Sequence, residues 1–238
     1  MKRPHRVHGV RPWPWLGGWA AAHAGLLLVL VVLHQDVRVS GTLCSWTQRG
    51  ASRVRLLETL TTWGNPWPVT LLAAGSACLA LVRRDFTAAA VLVAVPYAAA
   101  VSCNLIKTWA GRQRPDLACV SAHADGFSFP SGHAVGVTTG FLLAALYAGG
   151  HLPRLLSTTL LVAAALGAEA VTWSRVLLGA HFSVDVLAGQ LLGAGWLAVA
   201  AVLLSRRPPP GSRGRAGPGV PRSADPAVPS WRRAVQSQ

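Results

Sequence analysis

The apolar residues of this chain come in long runs, without the one-sided periodicity of a helix on a soluble protein. Six runs stand out: Leu16–Leu33, Pro68–Val82, Phe86–Ile106, Ala134–Ala148, Leu155–Trp173 and Val184–Leu204. Most approach the ~20 residues needed to cross a hydrocarbon layer of ~30 Å. Lipid offers no hydrogen-bond partner to a bare backbone, so only helices or a closed barrel can cross it. Runs of this length predict helices. The expected fold is therefore all-α, a six-span transmembrane helical bundle. A hydrophobic fraction of 52% and a mean hydropathy of +0.40 agree with a polytopic membrane protein. Three parts are expected: a basic arm over 1–15, a membrane domain over 16–205, and a disordered basic tail over 206–238.

The charges orient the bundle. With the N-terminus inside, Lys2, Arg3, Arg6, Arg11, Arg83, Arg84, Arg154 and the arginines from Arg206 onward are cytoplasmic, as the positive-inside rule requires. An even number of spans returns the C-terminus to the same side. The net charge of +14 owes much to the two termini, and attraction to anionic lipid accounts for it better than nucleic acid, which asks for a folded basic face. No nucleic-acid partner is expected. The first run follows a basic stretch but lacks a small-residue cleavage pattern after Leu33, so it reads as a retained span. Arg53, Arg55 and Glu58 against Leu56, Leu57 and Leu60 suggest a short helix lying in the exterior interface. Trp46, Trp63, Trp67, Trp109 and Trp173 would form an aromatic belt there.

Three polar segments interrupt this apolar chain at the ends of spans. The first is Lys107 to Pro115, with Lys107, Arg112 and Arg114; the second is Pro130-Ser131-Gly132-His133; the third is Ser174-Arg175, followed by His181 and Asp185. Lys107, Arg114 and Arg175 are permanent cations, and guanidinium forks match phosphate oxygens. Ser131 stands where a helix N-cap belongs, and the free N–H groups near Gly132 can face an anion. His181 and Asp185 are four apart. On a helix they share a face, so the carboxylate can hold one imidazole nitrogen and leave the other free. Fixed positive charge around two histidines is what phosphoryl transfer asks of a protein. His181 is placed to attack phosphorus and His133 to act as acid and base. No metal-ligand spacing occurs, and no cofactor is expected.

Each segment alone has an ordinary reading. Pro-Ser-Gly-His is usually a plain helix start, a lone histidine on an apolar face is usually packed core, and Lys107, Arg112 and Arg114 could be interfacial cations. Their order in one chain changes the balance. Lys, six residues, Arg-Pro, then Pro-Ser-Gly-His, then Ser-Arg, five residues, His, three residues, Asp resembles the tripartite signature of the type 2 phosphatidic acid phosphatase and haloperoxidase superfamily. The resemblance runs from about Gly64 to Leu204. It implies His181 as nucleophile, Asp185 as its orienting partner, His133 as acid/base, and Lys107, Arg114, Ser131, Gly132 and Arg175 as phosphate ligands.

The function expected is hydrolysis of a membrane lipid phosphate or diphosphate, phosphatidate-like or polyprenyl, through a phosphohistidine, with the active site at the exterior membrane boundary. A lipid phosphotransferase and a non-enzymatic lipid-phosphate transporter or scaffold are the alternatives. The soluble haloperoxidases fit poorly with so apolar a chain. Glycines at 132, 136 and 140, and at 189 and 193, read as close helix packing within a monomer rather than as a dimer seam, leaving at most a weak homo-oligomer. Glu169, the one acid inside a run, is a functional candidate, with pairing to a nearby arginine or a protonated resting state as the alternatives. Only Cys44 and Cys119 fall in exterior loops, where they can form a disulfide. His23 reads as a satisfied packing residue.

Overall fold

A computed structural model describes residues 13–32, 34–116, 119 and 125–205, so the arm and tail expected at the termini lie outside the described residues apart from 13–15. Among the described residues eight α-helices follow in order: α1 (Trp13–Val32), α2 (Asp36–Gln48), α3 (Ala51–Thr61), α4 (Pro66–Val82), α5 (Phe86–Ala110), α6 (Gly132–Gly149), α7 (Arg154–Leu177) and α8 (Ser183–Ser205). A 3-10 turn over Thr62–Gly64 joins α3 to α4. No strand occurs among the described residues. Local chemistry fixes several ends: Pro66 opens α4, Asp85 caps α5 by accepting from Ala88 N–H at 3.0 Å, and Gly111 closes α5 at φ 58°.

The chain is a multi-pass membrane protein. Helices α5, α6, α7 and α8 are each long and apolar enough to cross a membrane. Two further spans arise only if each bent pair counts as one, α1 with α2 at 104° and α3 with α4 at 47°. The six expected spans therefore correspond to four straight ones and up to two broken ones. The short helix expected around Arg53–Leu60 is α3, which has no buried residue, and a further helix, α2, precedes it.

Helix α6 is the hub, packed against α4, α5, α7 and α8. Small residues bring α8 close to it. A Cβ on Gly189 would lie 2.7 Å from the Ser131 carbonyl oxygen, and one on Gly193 would lie 2.8 Å from Thr138 Cβ. Gly140 is equally close to Val69 of α4, at 2.8 Å. Gly132 differs from this expectation, since nothing lies within 4 Å of its would-be Cβ. Outward-facing Leu71, Phe86, Leu105, Leu155 and Leu166 leave an apolar exterior suited to lipid.

For Glu169 the arginine pairing is not what the fold provides. Its carboxylate meets no arginine; it accepts from Trp19 Nε1 (2.8 Å), Trp173 Nε1 (3.0 Å) and Gln190 Nε2 (2.9 Å), and lies 3.2 Å from His23 Nε2. It ties α1 to α7 and α8. Trp173 is thereby drawn inward, whereas Trp46, Trp63, Trp67 and Trp109 remain exposed. Cys44 and Cys119 are disulfide-bonded, which joins α2 to the segment between α5 and α6.

Candidate functional site

All three polar segments meet at one end of the bundle, where α5 and α7 end and α6 and α8 begin. Arg83, Arg84 and Arg154 flank the opposite ends of α5 and α7, some 36 Å away along helices of about 24 residues.

His181 is buried, at 2% exposure. It precedes α8 rather than sitting on it, so the shared helix face expected for His181 and Asp185 is replaced by a turn leading into the helix. The pair still meets, with His181 Nδ1 3.5 Å from Asp185 Oδ2. Arg114 Nη1, which can only donate, lies 3.1 Å from His181 Nε2. That contact puts the imidazole proton on Nδ1 and leaves the Nε2 lone pair turned toward the cations. Ser128 Oγ stands 3.4 Å from Nδ1 and donates a short bond to Asp185 Oδ2, so it bridges imidazole and carboxylate. Phe182 N–H adds a third donor to Asp185 at 2.9 Å, besides Arg112 at 2.7 Å on the other oxygen. Burial chiefly, helped by the charges of Arg114 and Arg175, pushes His181 down to about 4 against the upward pull of Asp185.

The cations are held from behind. Lys107 Nζ donates to the Phe127 carbonyl at 2.8 Å. Arg114 donates to the carbonyls of Ala180 (2.9 Å), Gly126 (3.0 Å) and Asp125 (2.9 Å), and burial lowers the pKa of its guanidinium. Arg175, 5% exposed, donates to Thr61 Oγ1 at 3.0 Å, while its Nε has no partner. Ser131 occupies the N-cap position of α6 without making a capping bond, and its buried Oγ is also unpartnered. A buried guanidinium N–H and a buried hydroxyl without partners carry a desolvation cost that a bound oxyanion would remove. Gly132 leaves the start of α6 open, where helix N–H groups and dipole favour an anion.

His133 lies within electrostatic reach of Arg175, His181, Arg114 and Lys107, and its Nε2 is 3.1 Å from Asn65 Oδ1. Gly64 makes room for it; a Cβ there would fall 2.6 Å from His133 Cδ2 and 2.6 Å from Val171 Cγ1. Beside His133 opens a cavity of about 470 Å³, continuing between α4 and α5 past Val69, Ala73, Val93 and Tyr97. The eight residues singled out in the sequence thus gather in one place. Thr61, Asn65, Ser128 and Arg112 join them. Arg112 was legible only as a flanking cation, and Thr61, Asn65 and Ser128 carry no spacing signal of their own.

The family model for the PAP2 superfamily matches residues 86–209, more than half of the chain and all three segments. The chain belongs to the PAP2 superfamily. Phosphatidylglycerophosphatase B of Bacillus subtilis (strain 168) is 41% identical to it over 92 residues, 38% of this chain and 45% of that protein. Decaprenylphosphoryl-5-phosphoribose phosphatase of Mycobacterium tuberculosis (strain ATCC 25618 / H37Rv) is 35% identical over 123 residues, 50% of this chain and 62% of that one. The chain spans about half the length of the curated relatives it matches. The crystal structure of a transmembrane PAP2 type phosphatidylglycerolphosphate phosphatase from Bacillus subtilis shares the fold, with a TM-score of 0.67 at 24% identity over 82% of this chain and 96% of that one.

Proposed function

We propose that this PAP2 protein is a membrane phosphatase that removes phosphate from a lipid phosphate or diphosphate by way of a phosphohistidine at His181. The observation that carries the reading is a buried neutral imidazole with Arg114 at its Nε2, Arg175 within electrostatic reach of it, Lys107 within reach of Asp185 and both guanidiniums, and the unpartnered Ser131 hydroxyl at the start of α6. Relatives named as lipid phosphatases support it.

In the proposed reaction the phosphate enters among these cations and takes Arg114 off His181 Nε2. Nε2 then attacks phosphorus while the bond to the leaving oxygen breaks, and His133 gives that oxygen a proton. Nδ1–H keeps the imidazole aligned through Ser128 and Asp185, which together offset the positive charge it acquires. Water next attacks the phosphorus, giving a proton back to His133 and releasing inorganic phosphate and free His181. The charge spread over three equatorial oxygens meets cations already in position. Lys107, Arg114 and Arg175 supply that charge, so the reaction asks for no metal.

The apolar cavity beside His133 suits the leaving alcohol's chain, since the leaving oxygen must face the acid. The site is proposed to face the exterior, with both termini cytoplasmic. A panel of purified lipid phosphates and soluble phosphomonoesters, assayed for released phosphate in the same micelles, tests the reading. Far higher kcat/KM on a long-chain phosphatidate, phosphatidylglycerophosphate or polyprenyl diphosphate than on p-nitrophenyl phosphate is expected. Equal efficiency on both kinds would make the protein a general phosphatase.

A further inference from the structure

Arg112 is the one cation of the first polar segment that the proposed reaction does not use. Its two terminal nitrogens are both committed: Nη1 donates to Asp185 Oδ1 at 2.7 Å and Nη2 to Asp36 Oδ2 at 2.8 Å. Its guanidinium lies over the Phe182 ring, 4.3 Å from the centroid. Asp36, the first residue of α2, uses its other oxygen to accept from Val184 N–H at 3.0 Å. Nearby, Ser183 N–H donates to Ser40 Oγ of α2 at 2.9 Å. Helix α2 is thus fastened to the first turn of α8, where Asp185 sits.

Asp185 is completely buried, whereas the Arg112 side chain is 32% exposed. Their contact is not an ordinary surface pair, because removing the guanidinium would take from a buried carboxylate the one permanent cation that touches it among the described residues. Asp185 is divided between its two oxygens: Oδ1 belongs to Arg112, and Oδ2 to Ser128, Phe182 N–H and His181. Without the first, the carboxylate is free to rotate and to present either oxygen to the imidazole.

We propose that Arg112, held in place by Asp36, is a positioning residue that locks the Asp185 carboxylate so that only Oδ2 serves His181, and that it does not bind the phosphate. This rests on the proposed role of His181. The groups facing the imidazole are Asp185 from α8, Arg175 from α7, His133 from the first turn of α6, and Ser128 and Arg114 from the segment between α5 and α6, with Lys107 of α5 within reach of Asp185. Arg112 cancels part of the Asp185 charge in this set. Its loss therefore makes the imidazole more basic.

The test compares wild type, R112Q, R112K, D36N and R112Q/D36N in detergent, through kcat and KM on a lipid phosphate, calorimetric binding of inorganic phosphate, and the titration midpoint of His181. The midpoint is read by ¹⁵N-histidine NMR and assigned by the signal lost in His181→Asn. R112Q should lower kcat on the order of 10- to 100-fold, the scale of losing an outer hydrogen-bond partner. Phosphate affinity should stay unchanged, and the His181 midpoint should rise by about one pH unit. R112K should recover only part of kcat, because an ammonium cannot fork two carboxylates. D36N should lower kcat in the wild-type background and have no further effect in R112Q.

Phosphate affinity weakened by about tenfold or more in R112Q would make Arg112 a ligand and overturn the proposal. Unchanged kcat together with an unchanged midpoint would reduce it to a surface ion pair. If R112Q fails to fold, D36N decides alone, and an unaltered kcat overturns the idea. A wild type that turns over no lipid phosphate would refute the phosphatase reading, while the midpoint in R112Q would still decide the role of Arg112.

Discussion

His181 illustrates how little freedom a proposed nucleophile is given. One ring nitrogen is tied to Ser128 and Asp185, the other faces Arg114, and the ring is buried. Burial and the neighbouring guanidiniums push it down to about 4, so it is neutral and able to attack across the physiological range. The limb of kcat/KM set by this imidazole is therefore expected near pH 4 rather than near 6.5, and a pH profile of the purified protein checks it. Stability follows the same sign. Between about pH 6.5 and 4 the unfolded chain takes up a proton that folded His181 refuses, so the contribution of the neutral ring is complete above 6.5 and lost as pH falls toward 4. Thermal unfolding of wild type and His181→Asn across that window should show the difference. Ser128→Ala should reduce kcat on the order of 10- to 100-fold without weakening phosphate binding, since it removes only the hydroxyl, which bridges the imidazole and its carboxylate, and keeps the backbone carbonyl that accepts from Lys107. Side chains proposed to meet the phosphate could be read from the sequence because charge and histidine are rare in an apolar chain. Ser128, Asn65 and Thr61 could not, because a short polar side chain gains its meaning only from what the fold sets beside it.

The helices were the easier part of the reading, and their ends the harder. An unbroken apolar run such as Phe86–Ile106 has little alternative to a helix, and α5 extends it only to Ala110, where Gly111 stops it. The bends were hidden, since length alone does not show that α1 and α2 meet at 104° or that α3 runs into α4. Likewise, Glu169 found tryptophan, histidine and glutamine partners that are distant in sequence. Close packing at α8 supplies a prediction at this scale. Gly189→Ala puts a methyl 2.7 Å from the Ser131 carbonyl, and backbone cannot swing aside as a side chain can. It should cost about 1–3 kcal/mol in stability and lower activity by displacing Ser131. Gly195, on the same helix, has nothing within 4 Å, so Gly195→Ala should be neutral or stabilising by up to about 1 kcal/mol. Parallel melts in detergent and phosphate-release assays on the two variants test the contrast.

For the whole molecule, the proposal sets the site at the exterior surface and Arg83, Arg84 and Arg154 at the cytoplasmic one. With the free cysteines Cys78 and Cys103 removed, a cysteine at exposed Gln113 should react with a membrane-impermeant thiol reagent in intact cells, and one at exposed Arg83 only after the cells are opened. The reverse pattern would invert the orientation. The central claim is that buried His181, served by fixed cations, carries out lipid-phosphate hydrolysis. Release of inorganic phosphate from a long-chain lipid phosphate, by purified wild type and His181→Asn in the same micelles with EDTA present, tests it most directly. The account predicts turnover by the wild type despite the chelator, and a fall to near background, at least about 10³-fold, in a variant that remains folded. Turnover by His181→Asn within about tenfold of wild type, or a wild type silenced by EDTA and restored by magnesium, would contradict it.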